Sequence, residues 1–249
     1  MSNPQFSEDE AILFDDAFDA LSGYFVSRET FMIQYNRIAE ASSRIRFLRL
    51  TSIYRALVKK GNFNPPVNTL EVSINYYDIT YKFIALISII EAMFSPDEWL
   101  DFYQWLRKSS NAEVFPIEDR IALDKLYTQY NSEYGAIRNA IKFFETLELE
   151  EQEFLKSKLT RLRLDQAKIK ASEIESTISE LAKLLYSIRS EFMHKAKLIV
   201  EFGDIPAITV NREGKPFVSN LSLSGLMHVF ELGLMRHFGM QPERKTLLF

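Results

Sequence analysis

Leu181-Ala-Lys-Leu-Leu-Tyr-Ser-Ile-Arg-Ser-Glu-Phe-Met-His194 is the stretch on which the fold turns. Leu181, Leu184, Leu185, Ile188 and Phe192 recur at the spacing of one face of an α-helix. At about 100° per residue they gather within roughly 60° of the centre of one stripe. With Leu181 at zero, Ser190 falls at about 180° and His194 at about 220°, away from the core, while Arg189 sits at about 80° on the flank. A core helix is therefore expected to present an Arg, a Ser and a His around its polar side, near its C-terminal end.

The whole chain suits such a helix. Its 249 residues suffice for one large domain, or for one domain with a small extension. With 47% apolar and 13% aromatic residues it can bury a sizeable core, which excludes a disordered chain. The net charge of −4 gives no overall field for nucleic acid, so any such surface has to be a local patch. The absence of cysteine excludes disulfides and thiolate metal sites and suits a reducing compartment. Met1-Ser-Asn-Pro resembles no signal peptide, and the longest apolar run, Phe83 to Ile90, is too short to span a membrane. A mainly helical, cytoplasmic protein without membrane association is expected.

Upstream, Ser7 and Glu10 form a capping-box pattern opening a helix over residues 8–22, with six acids and no base. Residues 28–60 have the opposite character, eight basic residues against two acidic. Arg44, Arg55 and Lys59 fall within about 40° of Arg37 on a helical wheel. That ridge is either a solvated face neutralised by the acidic first helix or a phosphate-contacting surface. Gly61-Asn-Phe-Asn-Pro-Pro66 reads as a linker, because tandem prolines cannot continue a helix. It separates an N-terminal helical extension, residues 1–64, from a helical domain, residues 65–249. A long apolar helix over residues 69–94 follows and carries Glu91 among residues expected to be buried. A buried carboxylate is costly unless partnered, so Glu91 is either paired inside the bundle or set at the edge of a cleft.

Ser95-Pro-Asp-Glu98 reads as a new helix start, followed by Trp99, Phe102, Tyr103, Trp105 and Leu106, which suit a core or a dimer surface. One helix is expected over residues 117–147 and an exposed, charged helix pair over 148–180. The Leu181–His194 helix is expected over 172–196. Ala207-Ile-Thr-Val210 and Pro216-Phe-Val-Ser219, flanking Asn211-Arg-Glu-Gly214-Lys, read as a small β-hairpin. Ser222 or Ser224 caps a last helix that Gly239 and Pro242 stop.

His194, His228 and His237 lack paired metal-ligand spacing, and no phosphate loop, nucleophile elbow or dinucleotide fingerprint is present. No metal or cofactor is expected, and His228 and His237 read as structural or surface residues. Arg189 with His194 either suits metal-free phosphodiester chemistry or is structural, with Arg189 bonding a carboxylate such as Glu91 and His194 a solvated helix end. Histidine titrates near neutrality, and arginine keeps its charge and can stabilise a phosphorane-like transition state.

Tyr186-Ser-Ile-Arg189-Ser-Glu-Phe-Met-His194 resembles the R-x4-6-H signature of HEPN domains, in particular the Apea-like branch. Phe83-Ile-Ala-Leu-Ile-Ser-Ile-Ile-Glu91-Ala-Met-Phe94 is similar to the apolar, Glu-containing helix of that branch, and the extended pair and closing helix fit its ending. The resemblance covers roughly residues 70–240. It implies a mainly α, HEPN-like helical bundle with a small β-hairpin near the C-terminus. It also implies RNA as substrate and a metal-independent endoribonuclease leaving 2′,3′-cyclic phosphate ends, in toxin–antitoxin or antiphage defence. Arg189, Ser190 and His194 are then the candidate catalytic residues, and Tyr186, Glu91, Arg37, Arg44, Arg55 and Lys59 the candidate substrate contacts. Active members carry Asn, Asp or His directly after the Arg, where this chain has Ser190. That departure keeps open a non-catalytic HEPN module that binds RNA or nucleotide, or scaffolds a protein partner such as an antitoxin. Arg189 and His194 stand about 140° and about 7.5 Å of rise apart on a regular helix. One pair converges poorly on one phosphate, whereas two pairs across a two-fold axis converge well, so a homodimer is expected.

Overall fold

The computed structural model describes residues 8–62, 71–96, 100–106, 108, 120–165, 170–195, 207–210 and 215–243. The fold is mainly α. Helix α1 (Glu8–Leu21) buries Phe14, Ala17 and Leu21 on one face and leaves Asp15 and Asp19 outside. The expected cap Ser7 lies outside the described residues. A short 3-10 turn, Ser22–Tyr24, leads to α2 (Arg28–Tyr35), which opens under a capping box between Ser27 and Thr30. Helix α3 (Ala41–Tyr54) runs on into a π-helical turn, Arg55–Lys59. The stretch expected as one basic segment is therefore two helices meeting at residues 36–40.

Helix α4 (Glu71–Phe94) is long, and Phe83, Leu86, Ile87, Ile90 and Met93 form its buried stripe. The start expected at Ser95-Pro-Asp-Glu98 lies partly outside the described residues, and the Ser95 hydroxyl donates back to the Glu91 carbonyl at 2.9 Å. Helix α5 (Phe102–Leu106) is opened by Asp101, which accepts from the Gln104 amide at 2.9 Å. Trp105 and Leu106 join Leu126 and Tyr134 in a small second core, Tyr103 stays 73% exposed, and Trp99 lies outside the described residues.

The helix expected over 117–147 is broken. It divides into α6 (Arg120–Tyr134) and α7 (Ala136–Glu145) at Gly135. A Cβ there would stand 2.2 Å from the Asn131 carbonyl oxygen, so the tight turn admits glycine alone. The charged stretch after it also differs from the expected helix pair. Only α8 (Leu149–Lys158) is helical, and β1 (Leu159–Asp165) and β2 (Lys170–Ile174) follow as antiparallel strands. Arg161-Leu-Arg-Leu164 has the two-residue period of a strand, and its charges masked that period. The next helix, α9 (Ile178–Lys195), consequently begins later than expected, under Thr177, whose hydroxyl accepts from the Glu180 amide at 3.2 Å.

Strands β3 (Ala207–Val210) and β4 (Pro216–Ser219) form the expected antiparallel pair. Strand β1 pairs with β4 through Leu159 to Arg161, which widens the hairpin into a four-stranded sheet of order β2-β1-β4-β3. Helix α10 (Leu223–His237) is capped by Ser222 and ends at Gly239, whose φ of 77° lies in the left-handed region. Among the described residues no helix is long and apolar enough to cross a membrane.

Residues on both sides of the proline linker share one core. Phe14, Phe31 and Phe47 pack in the same buried cluster as Leu86, Phe143, Leu185 and Phe230. A carboxylate sits within this apolar mass. Glu231 of α10 is 6% exposed and accepts from the Tyr24 hydroxyl at 2.7 Å, from the Tyr54 hydroxyl at 2.6 Å and from Lys59 Nζ at 2.9 Å. Lys59 Nζ also donates to the Ala20 carbonyl. Burial, then the Glu231 charge, pushes both tyrosine hydroxyls well above their ordinary range, so both remain protonated donors.

Glu231→Ala leaves two buried hydroxyls and an ammonium without their acceptor and is expected to cost about 3–5 kcal/mol. Lys59→Met, at a side chain that is 34% exposed, is expected to cost less. Urea denaturation of the two variants beside wild type measures both. A loss below about 1 kcal/mol for Glu231→Ala contradicts the assigned role of the carboxylate.

Candidate active site

The apolar stripe of α9 lies where its periodicity places it, with Leu181, Leu184, Leu185 and Ile188 buried. Phe192 is partly buried and meets the Tyr81 ring edge-on at 5.8 Å between centroids. The polar side departs from expectation. Ser190 is 5% exposed, and Ser187 and Glu191 are buried too, so this side does not face away from the core. The reason lies in packing. Helix α9 is contacted by α4, α7 and α8 together, and a wheel that assumes one buried face fails for a helix with neighbours on several sides. From residue 181 to 191 only Lys183 is exposed, with Tyr186 and Arg189 half-buried.

Arg189 is the cation at this seam. Its Nη2 stands 3.5 Å from Glu91 Oε2 across the α4–α9 contact, and its Nε donates to Ser88 Oγ at 3.5 Å. Its guanidinium carbon lies 5.9 Å from the centre of the Tyr186 ring. The carboxylate and guanidinium are thus within ion-pair range, yet Glu91 Oε2 is buried without a hydrogen-bond partner. Desolvation raises the Glu91 pKa above the ordinary carboxylate range, and the Arg189 charge opposes that rise. The arrangement is a positioned guanidinium whose donors are not saturated by its carboxylate neighbour. Such a group can still accept a second anion.

The structure therefore brings together Arg189, Glu91 and Tyr186, and adds Ser88. Ser190 shares the helix and is buried. His194 falls in the last turn of α9, and its side chain lies outside the described residues. The basic ridge is elsewhere. Arg55 pairs with Asp16 at 3.0 Å and also with Asp19, which Lys60 contacts as well. Lys59 is committed to Glu231. Arg37 donates to Gln34 Oε1 at 3.2 Å, and Arg44 lies near enough to Tyr35 to oppose the upward shift that burial gives its hydroxyl. No hydrogen bond or ion pair joins these four to Arg189, Glu91 or Tyr186. The acidic α1 thus neutralises part of the ridge.

Sequence reasoning missed the Glu231 cluster. The signal was present, because Glu231 is the one acid in the apolar run Leu226 to Phe238, the same signal that singled out Glu91. His228 Nδ1 and the Tyr24 hydroxyl share a hydrogen bond, and the His228 ring stacks on Tyr24. The His237 ring packs on Phe94 and Phe238, and partial burial followed by the Arg46 charge lowers its pKa. Among the described residues no three His, Asp or Glu side chains are grouped to hold a metal ion. No family model, no curated protein and no solved structure matches the chain.

Removal of the Arg189 charge is expected to raise the Glu91 pKa further, because desolvation then acts unopposed. The sign for stability follows. A carboxyl with a raised folded pKa contributes stability at low pH, and that contribution is lost as pH climbs from the ordinary carboxylate range through the folded value. Carbon-detected NMR titration of the Glu91 carboxyl in wild type and Arg189→Ala reads the shift, and a lower pKa in the variant contradicts the pairing.

Proposed function

We propose that this chain is a HEPN-like RNA-binding protein that cleaves RNA without a metal and leaves 2′,3′-cyclic phosphate ends. The observation that carries the reading is the Arg189 guanidinium. It rests on Tyr186 and beside Ser88 and Glu91, its carboxylate contact is long, and it lies five residues before a histidine on the same helix. Arg189 would hold the scissile phosphate and stabilise the charge that builds on its oxygens as the ribose 2′-hydroxyl attacks. His194 would move the proton, removing it from the 2′-hydroxyl or delivering it to the leaving 5′-oxygen. Glu91 would orient the guanidinium in the resting protein. The wide angle between Arg189 and His194 favours a homodimer in which two such pairs share a cleft. A cytoplasmic toxin or antiphage role, with an antitoxin-like protein partner, belongs to the same proposal.

A second reading is a non-catalytic module of the same kind, binding RNA or nucleotide or scaffolding a partner. Ser190 favours it, because this hydroxyl follows the Arg where active members carry Asn, Asp or His, and it is buried. The ridge residues Arg37 and Arg44 would contact phosphates in either reading, whereas Arg55 and Lys59 would first have to leave their carboxylates.

Arg189→Ala and His194→Ala are each expected to lower EDTA-resistant RNA cleavage by at least about 100-fold, the usual worth of a charge-stabilising or proton-transferring group. Circular dichroism should show both variants folded, and light scattering should show the wild type as a dimer. Wild-type protein that binds RNA and cuts none supports the non-catalytic reading. Cleavage that survives both substitutions overturns the nuclease assignment.

A further inference from the structure

Before α9 in the chain, the end of α8 and the β1–β2 hairpin border an open cavity of about 490 Å³. Its origin is a gap in the sheet. Strands β1 and β2 pair only from Arg161 and Ile174 outward, while Leu159 and Thr160 pair with β4 on their other side. Residues 175–177 then lead out of the strand into α9, so among the described residues no strand lies beside the β2-facing edge of Leu159 and Thr160. The volume falls within the range of small-molecule sites.

The polar lining is rich in acceptors. Glu153, Glu173 and Glu175 supply three carboxylates. The one cation among the described lining residues, Lys156, is already ion-paired with Glu153 at 2.8 Å, and its pKa is raised first by that contact and also by Glu175. Lys158 is turned away, with its ammonium 5.6 Å from the centre of the Phe154 ring. Glu173 and Glu175 make no hydrogen bond or close ion pair with any described residue. The last turn of α8, a ten-residue helix, directs its partial negative charge toward the same space. Independently of these charges, Ser176 lines the cavity, is only 5% exposed, and its hydroxyl has no hydrogen-bond partner. A buried hydroxyl without a partner is costly, and in a cavity wall it can bond a polar group of a ligand.

We propose that this cavity binds an alkylammonium ligand, with the Glu173 and Glu175 carboxylates as counter-ions and the Ser176 hydroxyl as an acceptor for an ammonium proton. Glu173 and Glu175 both line the cavity two residues apart, a Cα separation of at most about 6.6 Å, within reach of the two ends of a short alkyl diamine. The same group reaches the site either as a free polyamine or as the lysine side chain of a peptide. A metal ion is a poorer fit, since the described carboxylates are not grouped as a ligand set.

Calorimetric titration of putrescine, spermidine and a lysine-bearing peptide into the full chain, at low and at moderate salt, tests the proposal. Saturable binding that weakens with salt is expected, together with a loss of about tenfold or more in Glu173→Gln/Glu175→Gln, the effect of removing hydrogen bonds to a charged group. Both positions are exposed, so the double variant is expected to fold. Ser176→Ala is expected to weaken binding while leaving the ligand-free melting temperature unchanged or higher, because the hydroxyl it removes has no partner. Tighter binding of spermidine than of the peptide assigns a free polyamine, and the reverse assigns a lysine side chain. No saturable binding of any of the three, or binding unchanged in the double variant, overturns the proposal.

Discussion

The carboxylate of Glu231 is the constraint on which the arrangement of this chain depends. A charge placed inside a phenylalanine-rich core is tolerated only with donors around it, and here they come from separate segments. Tyr24 arrives from the turn after α1, and Tyr54 and Lys59 from the end of α3 and the π-helical turn beyond it. The extra residue of a π-turn matters at this point. Lys60 N bonds the Arg55 carbonyl at 2.8 Å, and from this turn Lys59 reaches both the Ala20 carbonyl and Glu231. One side chain on α10 thereby fixes where the N-terminal helices lie.

The placement of α10 bears on the candidate site. Helix α10 contacts α4, and α4 contacts α3, α7 and α9 as well. Helices α4 and α10 are thus both embedded in the core that the N-terminal helices complete. Glu91 and Ser88 look across to Arg189 from that fixed α4. Close packing reinforces the geometry, since a Cβ on Gly233 would stand 2.6 Å from the Phe143 ring of α7. The guanidinium is thus held by a rigid frame although its own polar contacts are long. The proposed phosphate contact would need that combination of fixed position and unsaturated donors.

Much of this was legible in the residues, and the failures have physical causes. The stripe from Leu181 to Ile188 was readable because helical burial has a period, and the 207–219 pair because its turn carries Gly214. Glu91 was readable as a lone acid in an apolar run. Strand β1 is hidden in the sequence, because Arg161 and Arg163 read as solvated helix charges although the segment has the two-residue period of a strand. The break at Gly135 was hidden by helical periodicity on both sides of it. Ser190 was misplaced because a wheel knows nothing of how many helices surround it. The Glu231 cluster was out of reach for a different reason. Its partners lie far away in sequence, and only the fold says that Tyr24, Tyr54 and Lys59 converge on one carboxylate.

The chemistry proposed for Arg189 and His194 would leave a distinctive product. Attack by the 2′-hydroxyl closes a cyclic phosphate on one fragment and frees a 5′-hydroxyl on the other, whereas attack by an activated water leaves a linear phosphate. Mass spectrometry of the fragments formed from a defined RNA in excess EDTA reads the difference directly. The account predicts 2′,3′-cyclic phosphate and 5′-hydroxyl ends from the wild-type protein, absent with Arg189→Ala. Fragments bearing 3′-hydroxyl and 5′-phosphate ends would contradict it.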